Sequence, residues 1–219
     1  MNRCGRLAHM YMQGLLRLAV GCIGSIILCA AQAQPQSYVR VHLPRNVSIE
    51  LPRNWVVISN NQRTTLDAAV VARQGNAGIA DFRSELAFAA NYYDDSGKTA
   101  GIVNVRYYPE QTVTQADARN ASAAEVRELD ALLQQELQKG IALSGNRLLA
   151  WQGTSKNSIS GLIVFLSTYR RSSPNGTFQV RLVRVLDAGR SFTLTVSYRE
   201  NHAYFLQPIS DYVIRSLKR

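Results

Sequence analysis

The feature that most limits the fold of this chain is a run of four strand-like segments in its carboxyl-terminal third, each with apolar residues at alternate positions. The segments are 148–154, 162–170, 178–186 and 191–199. Turn-forming residues separate them, for example Pro174-Asn175-Gly176 and Asp187-Ala188-Gly189. Because consecutive strands joined by short turns pair antiparallel, the pattern predicts a four-stranded antiparallel meander.

The last of these segments predicts how the sheet is buried. Phe192, Leu194, Val196 and Tyr198 share one face, while hydroxyl-bearing residues and Arg199 alternate on the other. We therefore expect one deeply buried face and one partly polar face.

Two short strands are predicted near the start of the domain. Segments 38–43 and 47–51 alternate on either side of Pro44-Arg45-Asn46, as in a hairpin. Trp55 then leads into the apolar run 56–58, and we expect its ring to lie in the core.

A second hairpin is predicted from segments 85–93 and 102–108, which flank the turn sequence Asp94-Asp95-Ser96-Gly97-Lys98. The acidic turn also has some of the oxygen ligands of a calcium loop. It lacks the acidic residues at later positions that complete such a site, so the hairpin turn is the favoured interpretation.

Three helices are predicted from apolar residues at helical spacing, over 64–73, 123–139 and 203–217. The second has the clearest boundaries, because Ser122 and Glu125 form a capping box and Gly140 follows its last turn. Thr64 and Asp67 suggest a similar cap for the first. Antiparallel strands with separate helices give an α+β fold class in which helices cover the sheet.

The amino terminus has the layout of a secretory signal peptide over residues 1–33. Arg3, Arg6 and Arg17 precede or adjoin a short apolar stretch, and Ala31-Gln32-Ala33 is a suitable cleavage site. An uncleaved membrane anchor is the alternative, but the apolar stretch is shorter than the roughly 18 to 20 residues that a spanning helix needs. We therefore expect a periplasmic or secreted protein with a single domain over 34–219.

Composition restricts the chemistry of that domain. The three cysteines, Cys4, Cys22 and Cys29, all lie in the leader, so the domain after cleavage has no disulfide and no thiol nucleophile. The chain carries 25 Lys and Arg against 15 Asp and Glu, which favours anionic partners such as lipid headgroups or acidic proteins. No dense basic run marks a nucleic-acid-binding arm, and no nucleic acid is expected.

A family resemblance follows from these segments. The Leu-Pro-Arg-Asn-Trp55 segment after an opening strand, the mid-chain helix, the late meander and the terminal Val-Ile-Arg-Ser-Leu helix resemble the PsbP-like α/β/α sandwich. This group of exported proteins includes DcrB-type bacterial envelope proteins. The resemblance implies an antiparallel sheet with helices on both faces, and a binding or assembly-assisting scaffold without a shared catalytic site. The second Leu-Pro-Arg-Asn copy and the long insert at 60–84 depart from the family pattern.

No catalytic or metal site is expected from the sequence. His42 and His202 are the only histidines after cleavage and are far apart in sequence. A Ser/His/Asp triad using His202 and Asp211 lacks the Gly-x-Ser-x-Gly context, so His202 is interpreted as a surface or capping residue. Two separated histidines without cysteines also give no zinc-ligand spacing, and no cofactor is expected.

The strongest candidate for a binding site is a series of arginines on predicted strands. The proposed binding residues are Arg106, Arg170, Arg181, Arg184, Arg199 and the aromatic Tyr108, with Arg171, Arg190 and Tyr107 nearby in sequence. If the strands bring several guanidinium groups together, they suit carboxylate or phosphate groups. The alternative is a solvated face balanced by scattered acids.

Two functions therefore remain open. The first is a non-enzymatic module of the cell envelope that binds or helps to assemble another envelope protein. The second is a binder of an anionic small ligand, a lipid headgroup or a membrane surface through the arginine-rich sheet face.

The leader predicts a specific cleavage product. In a host with a general secretory pathway, intact-mass analysis of the exported protein is expected to show a chain that begins at Gln34, after Ala33. Material that retains Met1, or that stays in the cytoplasm, would contradict this assignment.

Overall fold

The computed structural model describes residues 36–76, 84–108 and 111–219. The predicted leader over 1–33 lies outside these ranges. The described elements are β1 (Tyr38–His42), β2 (Ser48–Pro52), β3 (Val56–Val57), α1 (Asn60–Asn76), β4 (Glu85–Tyr93), β5 (Thr99–Tyr108), α2 (Gln115–Asn120), α3 (Ala123–Leu143), β6 (Leu148–Ile159), β7 (Leu162–Arg171), β8 (Phe178–Val185), β9 (Ser191–Arg199) and α4 (Ala203–Arg215). None of the helices in these ranges combines the length and hydropathy that crossing a bilayer requires.

Seven strands form one sheet in the order β3-β4-β5-β9-β8-β7-β6, and all neighbours are antiparallel. The predicted meander is confirmed, since β6, β7, β8 and β9 are neighbours in chain order. Strands β1 and β2 pair with each other in a separate two-stranded sheet, as a hairpin. Strand β9 therefore lies at the centre of the larger sheet.

One face of the sheet, which we call the α4 face, carries Leu194 and Val196 of β9. Helix α4 and strand β2 cover it with buried apolar side chains. These include Val47, Ile49, Leu51, Leu206, Ile209 and Val213. Each such side chain contributes roughly 1.5–3 kcal/mol when it is fully buried, so this layer is the main apolar core.

Polar contacts join the β1–β2 hairpin to α4. The Glu50 carboxylate accepts hydrogen bonds from the Tyr212 hydroxyl and the Arg40 guanidinium. Both bonds lower the pKa of Glu50 below its usual value. The chain end adds a backbone bridge, because Ser48 N donates to Lys218 O at 2.8 Å and Lys218 N donates to Ser48 O at 2.9 Å.

The opposite face, the α3 face, has its own smaller core. Ile141 of α3 packs with Tyr169, Phe178, Val180 and Leu182. A hydrogen bond of 2.9 Å from Trp151 Nε1 to Asp130 of α3 joins the helix to β6. Helices thus cover both faces, and the predicted α+β sandwich is confirmed.

Burial of the α3 face exceeds the sequence-based expectation. Ser191, Thr193 and Ser197 of β9 retain only 1–2% of their accessible surface, although their alternation with apolar residues predicted a partly polar face. These polar residues are buried because β9 is the central strand of the sheet, and a central strand is covered on both faces whichever side chains it carries. Ser191 is satisfied locally, since its hydroxyl accepts from Asp187 N at 2.8 Å.

The first helix begins earlier than predicted. Helix α1 starts at Asn60, so Thr64 lies inside it and donates its hydroxyl to Asn60 O instead of capping the helix. Asp67 accepts a hydrogen bond of 2.8 Å from Leu86 N. The predicted Thr64–Asp67 cap is therefore wrong, since Asp67 binds the sheet.

The capping box of α3 is confirmed. Ser122 Oγ accepts from Glu125 N at 3.2 Å, and Glu125 Oε2 accepts from Ser122 N at 2.7 Å. The helix continues past Gly140 to Leu143, because Ile141 in the additional turn is buried against the sheet. The left-handed residue after the helix is Gly145, with φ 73°.

The predicted hairpin of β4 and β5 is confirmed, and Asp94 organises its turn. Asp94 Oδ1 accepts hydrogen bonds of 3.0 Å from Ser96 N and from Lys98 N. Its Oδ2 lies 3.0 Å from Arg199 Nη2 at the end of β9. Hydrogen bonds from Ser96 and Lys98, opposed by desolvation and aided by the charge of Arg199, hold the pKa of Asp94 well below its ordinary value.

Trp55 lies in the core, as predicted, with 6% of its surface exposed. Its ring packs on Gly101 of β5, where a Cβ atom would lie 2.7 Å from Trp55 Cη2 and 3.2 Å from Tyr92 Cβ. Glycine at this position therefore allows the close approach of the indole.

This contact predicts opposite effects for two glycine substitutions. G101A is expected to lower the free energy of unfolding by about 1–3 kcal/mol, because the new methyl group overlaps Trp55. G140A is the control: nothing lies within 4 Å of its Cβ position in α3, so we expect a gain of about 0.5–1 kcal/mol. Urea denaturation measures both, and a neutral G101A would contradict the packing.

Asp94 predicts a pH-dependent stability. A carboxyl group with a lowered folded-state pKa stabilises the fold above its unfolded-state pKa of about 3.9, and this contribution is lost as the pH falls through the folded value. D94N should therefore be clearly less stable than the parent chain at pH 7, with a smaller difference at pH 3. D95N, at the exposed neighbouring position, is the control for urea unfolding at both pH values. An equal loss from D94N at both would contradict the role of the charge.

Candidate functional site

The arginines that the sequence singles out are divided between the two faces of the sheet. Cross-strand register places each one, because residues directly opposite each other point to the same side. The α4 face carries Arg170 and Arg181, whereas the α3 face carries Arg106, Arg184, Arg199 and Tyr108. The structure therefore does not bring all six together.

Both arginines on the α4 face are paired with acids. Arg170 contacts Glu200 with two guanidinium nitrogens, one of them at 2.8 Å, and this pairing raises the pKa of Arg170. Arg181 forms an ion pair with Asp211 of α4. These pairs join β7 and β8 to the chain segment that carries α4.

Two arginines on the α3 face are also paired. Arg106 Nη1 lies 2.8 Å from Asp67 of α1 and donates to Ser84 Oγ at 3.2 Å. Arg199 binds Asp94 and also donates to Thr99 O at 2.9 Å. Both arginines thus connect separate parts of the fold.

Two further arginines of the series are also accounted for by local contacts. The Arg171 guanidinium carbon lies 5.2 Å from the centre of the Phe178 ring, a cation–π distance. Arg190 lies 3.3 Å from Asp187, and it is largely exposed. Register places Arg171 on the α3 face beside Phe178, whereas Arg190 precedes β9.

Arg184 combines two features that the others show singly. Its Nε atom is buried without a hydrogen-bond partner, as is that of Arg199, and like Arg171 it forms no ion pair with a carboxylate in the described part of the chain. Desolvation lowers the pKa of Arg184, and nearby Tyr108 opposes that shift. Thr193 lies opposite Arg184 on β9, and Arg106 lies opposite Thr193 on β5.

The histidines do not form a catalytic arrangement. His202 is at the N-cap position of α4 but makes no side-chain cap, so the capping interpretation is wrong. Its Nε2 lies 3.5 Å from Asp94 Oδ2. Asp211, the acid considered for a triad, is paired with Arg181, and His42 is exposed on β1. Over the ranges given above, no three His, Cys, Asp or Glu side chains gather as a metal site.

An aromatic cluster that the sequence did not predict lies at the β3 end of the sheet. Tyr204 stacks edge-on against Phe205 with ring centres 4.9 Å apart, Phe205 contacts Tyr92 at 5.6 Å, and Tyr92 contacts Trp55 at 6.1 Å. Tyr204 is 83% exposed, although Phe205 beside it is partly buried against the core. The sequence feature that could have predicted this exposure is a second aromatic residue next to Phe205 that lies outside the apolar stripe of α4.

Two exposed aliphatic residues form the neighbouring edge strand. Val56 and Val57 of β3 directly follow Trp55 and are 54% and 52% exposed. Register places Val57 on the α4 face with the cluster and Val56 on the α3 face. We call Trp55, Val56, Val57, Tyr92, Tyr204 and Phe205 together the aromatic edge. An open groove of about 480 Å³ adjoins it on the outer side of α4. The groove is lined by Ala203, Tyr204, Gln207, Pro208, Asp211 and Arg215.

Comparisons with known proteins bear on the fold. No protein-family model matches the chain, and no curated protein matches its sequence. Among solved structures, the cyanobacterial PsbP protein CyanoP from Synechocystis sp. PCC 6803 matches with a TM-score of 0.53 and 9% identity. The match covers 88% of this chain and 98% of that one.

Two other solved structures are similar at lower scores. A Pseudomonas aeruginosa protein of unknown function, PA94, has a TM-score of 0.41 and 12% identity, with 83% of this chain and 96% of that chain covered. LpqN of Mycobacterium tuberculosis, described as involved in cell envelope biogenesis, has a TM-score of 0.40 and 11% identity, with 83% and 90% covered. At these identities the fold alone is comparable. The match to CyanoP and the antiparallel sheet with helices on both faces show that the chain has a PsbP-like fold.

Proposed function

We propose that this protein is an exported, non-enzymatic binding module of the cell envelope, and that it recognises a partner protein through the aromatic edge. The observation that carries the proposal is Tyr204, a large aromatic residue left 83% exposed on the helix that otherwise supplies the core. Tyrosine combines a large apolar contact area with a hydroxyl group that can hydrogen-bond, which is why it is enriched at protein interfaces.

The aromatic packing beneath Tyr204 supports the proposal. Tyr204 rests on Phe205, which contacts Tyr92 and through it the buried Trp55. A side chain held on a packed aromatic base loses little conformational entropy when a partner binds. An exposed residue of this kind is therefore a suitable interface hot spot.

Strand β3 supports a protein partner over a small molecule. It lies at one end of the sheet order and pairs with β4 alone, so the outer edge of Val56 and Val57 has no strand beside it in the described ranges. Edge strands of this kind accept a strand from another chain through main-chain hydrogen bonds. The adjoining apolar side chains would be covered by the same partner.

The proposed location rests on the predicted leader. A signal peptide over 1–33 would place the domain outside the cytoplasm, where its net positive charge favours acidic partner surfaces. The arginine pairs described above serve the fold and do not require a catalytic role. A binding function agrees with both features.

Site-specific photo-crosslinking tests the proposal. A photoreactive phenylalanine analogue at Tyr204 or Val57 is expected to give one defined adduct in intact cells. Leu132 of α3 is the matched control, because it is 60% exposed and belongs to the helix on the other face of the sheet. The control position should give no adduct of that size.

The adduct then provides a partner for a quantitative measurement. With the crosslinked protein purified, Y204A is expected to weaken binding at least about tenfold, as a hot-spot residue does, whereas L132A should leave the affinity unchanged. Equal crosslinking from Tyr204 and Leu132, or unchanged affinity in Y204A, would contradict an interface at the aromatic edge.

A further inference from the structure

We propose that Arg184 binds a phosphate-type oxyanion in a second site, on the α3 face of the sheet between β5 and β8. This site is separate from the aromatic edge and does not depend on the protein partner proposed above. The remaining members of the site are Tyr108 and Thr193, with Phe165 as its apolar wall.

The first argument is the uncompensated charge. A guanidinium group stays protonated in proteins, so its burial cannot be relieved by loss of a proton. Four other arginines of the series each form an ion pair with a carboxylate, namely Arg106, Arg170, Arg181 and Arg199. Arg184 meets none in the described ranges, and its buried Nε has no acceptor. The Arg184 side chain is half-buried, and its desolvated Nε leaves one hydrogen bond unmade, which a bound anion would supply.

The second argument is the arrangement of the surrounding strands. Arg184 of β8, Thr193 of β9 and Arg106 of β5 form one cross-strand row. Neighbouring strands are about 4.8 Å apart, so the two arginine backbones are separated by about 10 Å. Tyr108 points to the same face two residues beyond Arg106. The row and Tyr108 therefore offer hydroxyl groups to an anion on Arg184, while the charge of Arg106 is already paired with Asp67.

An apolar residue borders the row on the β7 side of Arg184. Phe165 of β7 lies opposite Arg184 and is only 3% exposed. Lys156 of β6 follows Phe165 in the row and donates to Arg119 O and Ala121 O at the end of α2. Gln115 at the start of α2 bonds the backbone of β7 and of the residue after β8. Its Nε2 donates to Leu186 O at 2.7 Å, and its Oε1 accepts from Ile163 N at 2.8 Å. The site thus has an apolar wall and a fixed neighbouring segment.

The chemistry of these groups selects the ligand. Guanidinium groups present parallel N–H donors that match two oxygens of a phosphate or carboxylate, and hydroxyl groups add single hydrogen bonds. Among the described residues, the carboxylate bound to this row is that of Asp67, and Arg106 neutralises it. The site therefore favours an oxyanion over a cation. The oxyanion belongs either to a soluble phosphate compound or to a lipid headgroup.

Calorimetry of the full chain with inorganic phosphate at constant ionic strength tests the site. We expect saturable binding that R184Q weakens at least about tenfold, because hydrogen bonds to a charged group are lost. R184K should weaken it less, since the charge stays but the paired N–H donors do not. R181Q is the matched control: it removes the same charge from the same strand on the other face, and its affinity should equal that of the parent chain.

A thermal measurement separates binding from folding. We expect phosphate to raise the melting temperature of the parent chain, of R181Q and of Y204A. R184M should melt at the same or a higher temperature than the parent chain without phosphate, because the uncompensated charge is gone, and should not respond to phosphate. Retained phosphate binding in Y204A would also show that this site does not depend on the aromatic edge.

Two further experiments complete the test. The first identifies the source of the anion, and the second asks whether Glu110 of this chain pairs with Arg184 instead. Flotation with vesicles that contain phosphatidylglycerol, or only phosphatidylcholine, distinguishes a lipid headgroup from a soluble ligand. If the protein binds the anionic vesicles, and if this binding needs Arg184 and is reduced by phosphate, the ligand is a headgroup. If the protein binds phosphate but does not float with the vesicles, the ligand is soluble.

Glu110, outside the described residues, is the nearest carboxylate in sequence to Tyr108, and E110Q should leave the phosphate affinity unchanged. Tenfold tighter binding in E110Q, absence of saturable phosphate binding, or unchanged binding in R184Q would overturn the proposal.

Discussion

The structure depends on the burial of strand β9 on both faces. Every residue of this strand except Thr195 is buried, and it is hydrogen-bonded to β5 on one side and β8 on the other. A strand in this position requires a complete layer on each face. Helix α4 with the β1–β2 hairpin provides one layer, and α3 provides much of the other. In the absence of disulfides these two layers hold the domain together.

The central strand also explains how the arginines are used. Charged side chains near a doubly covered sheet need partners, and carboxylates from α1, the β4–β5 turn and the α4 segment supply them. These pairs connect elements that are distant in sequence. Two features do not serve the fold in this way: an exposed aromatic residue on a core-forming helix, and the half-buried guanidinium group of Arg184, which has no carboxylate partner in the described ranges.

The parts of the fold that sequence predicts well are those governed by local physics. The alternation in β6 to β9 and the short turns between them determine which strands are neighbours, and the Ser122–Glu125 box fixes the start of α3. Pairing of β5 with β9 joins segments far apart in the chain, so no local pattern reports it. The division of the arginines between two faces was partly visible in the sequence, because Arg181 and Arg184 are three residues apart on one strand and alternation alone places them on opposite sides. Which arginines of different strands share a face depends on strand pairing, which no local pattern reports. Tyr204 was missed because its exposure depends on where α4 meets the sheet.

Native-state hydrogen exchange measures the central claim directly. If both faces of β9 are sealed, the amides of Ser191–Arg199 exchange only through global unfolding, with protection that equals the free energy of unfolding from denaturant. The amides of β3 and the far end of β6 should exchange through local opening at lower free energies, since these strands lie at the two edges of the sheet. Exchange in β9 as fast as in β3 would contradict the account.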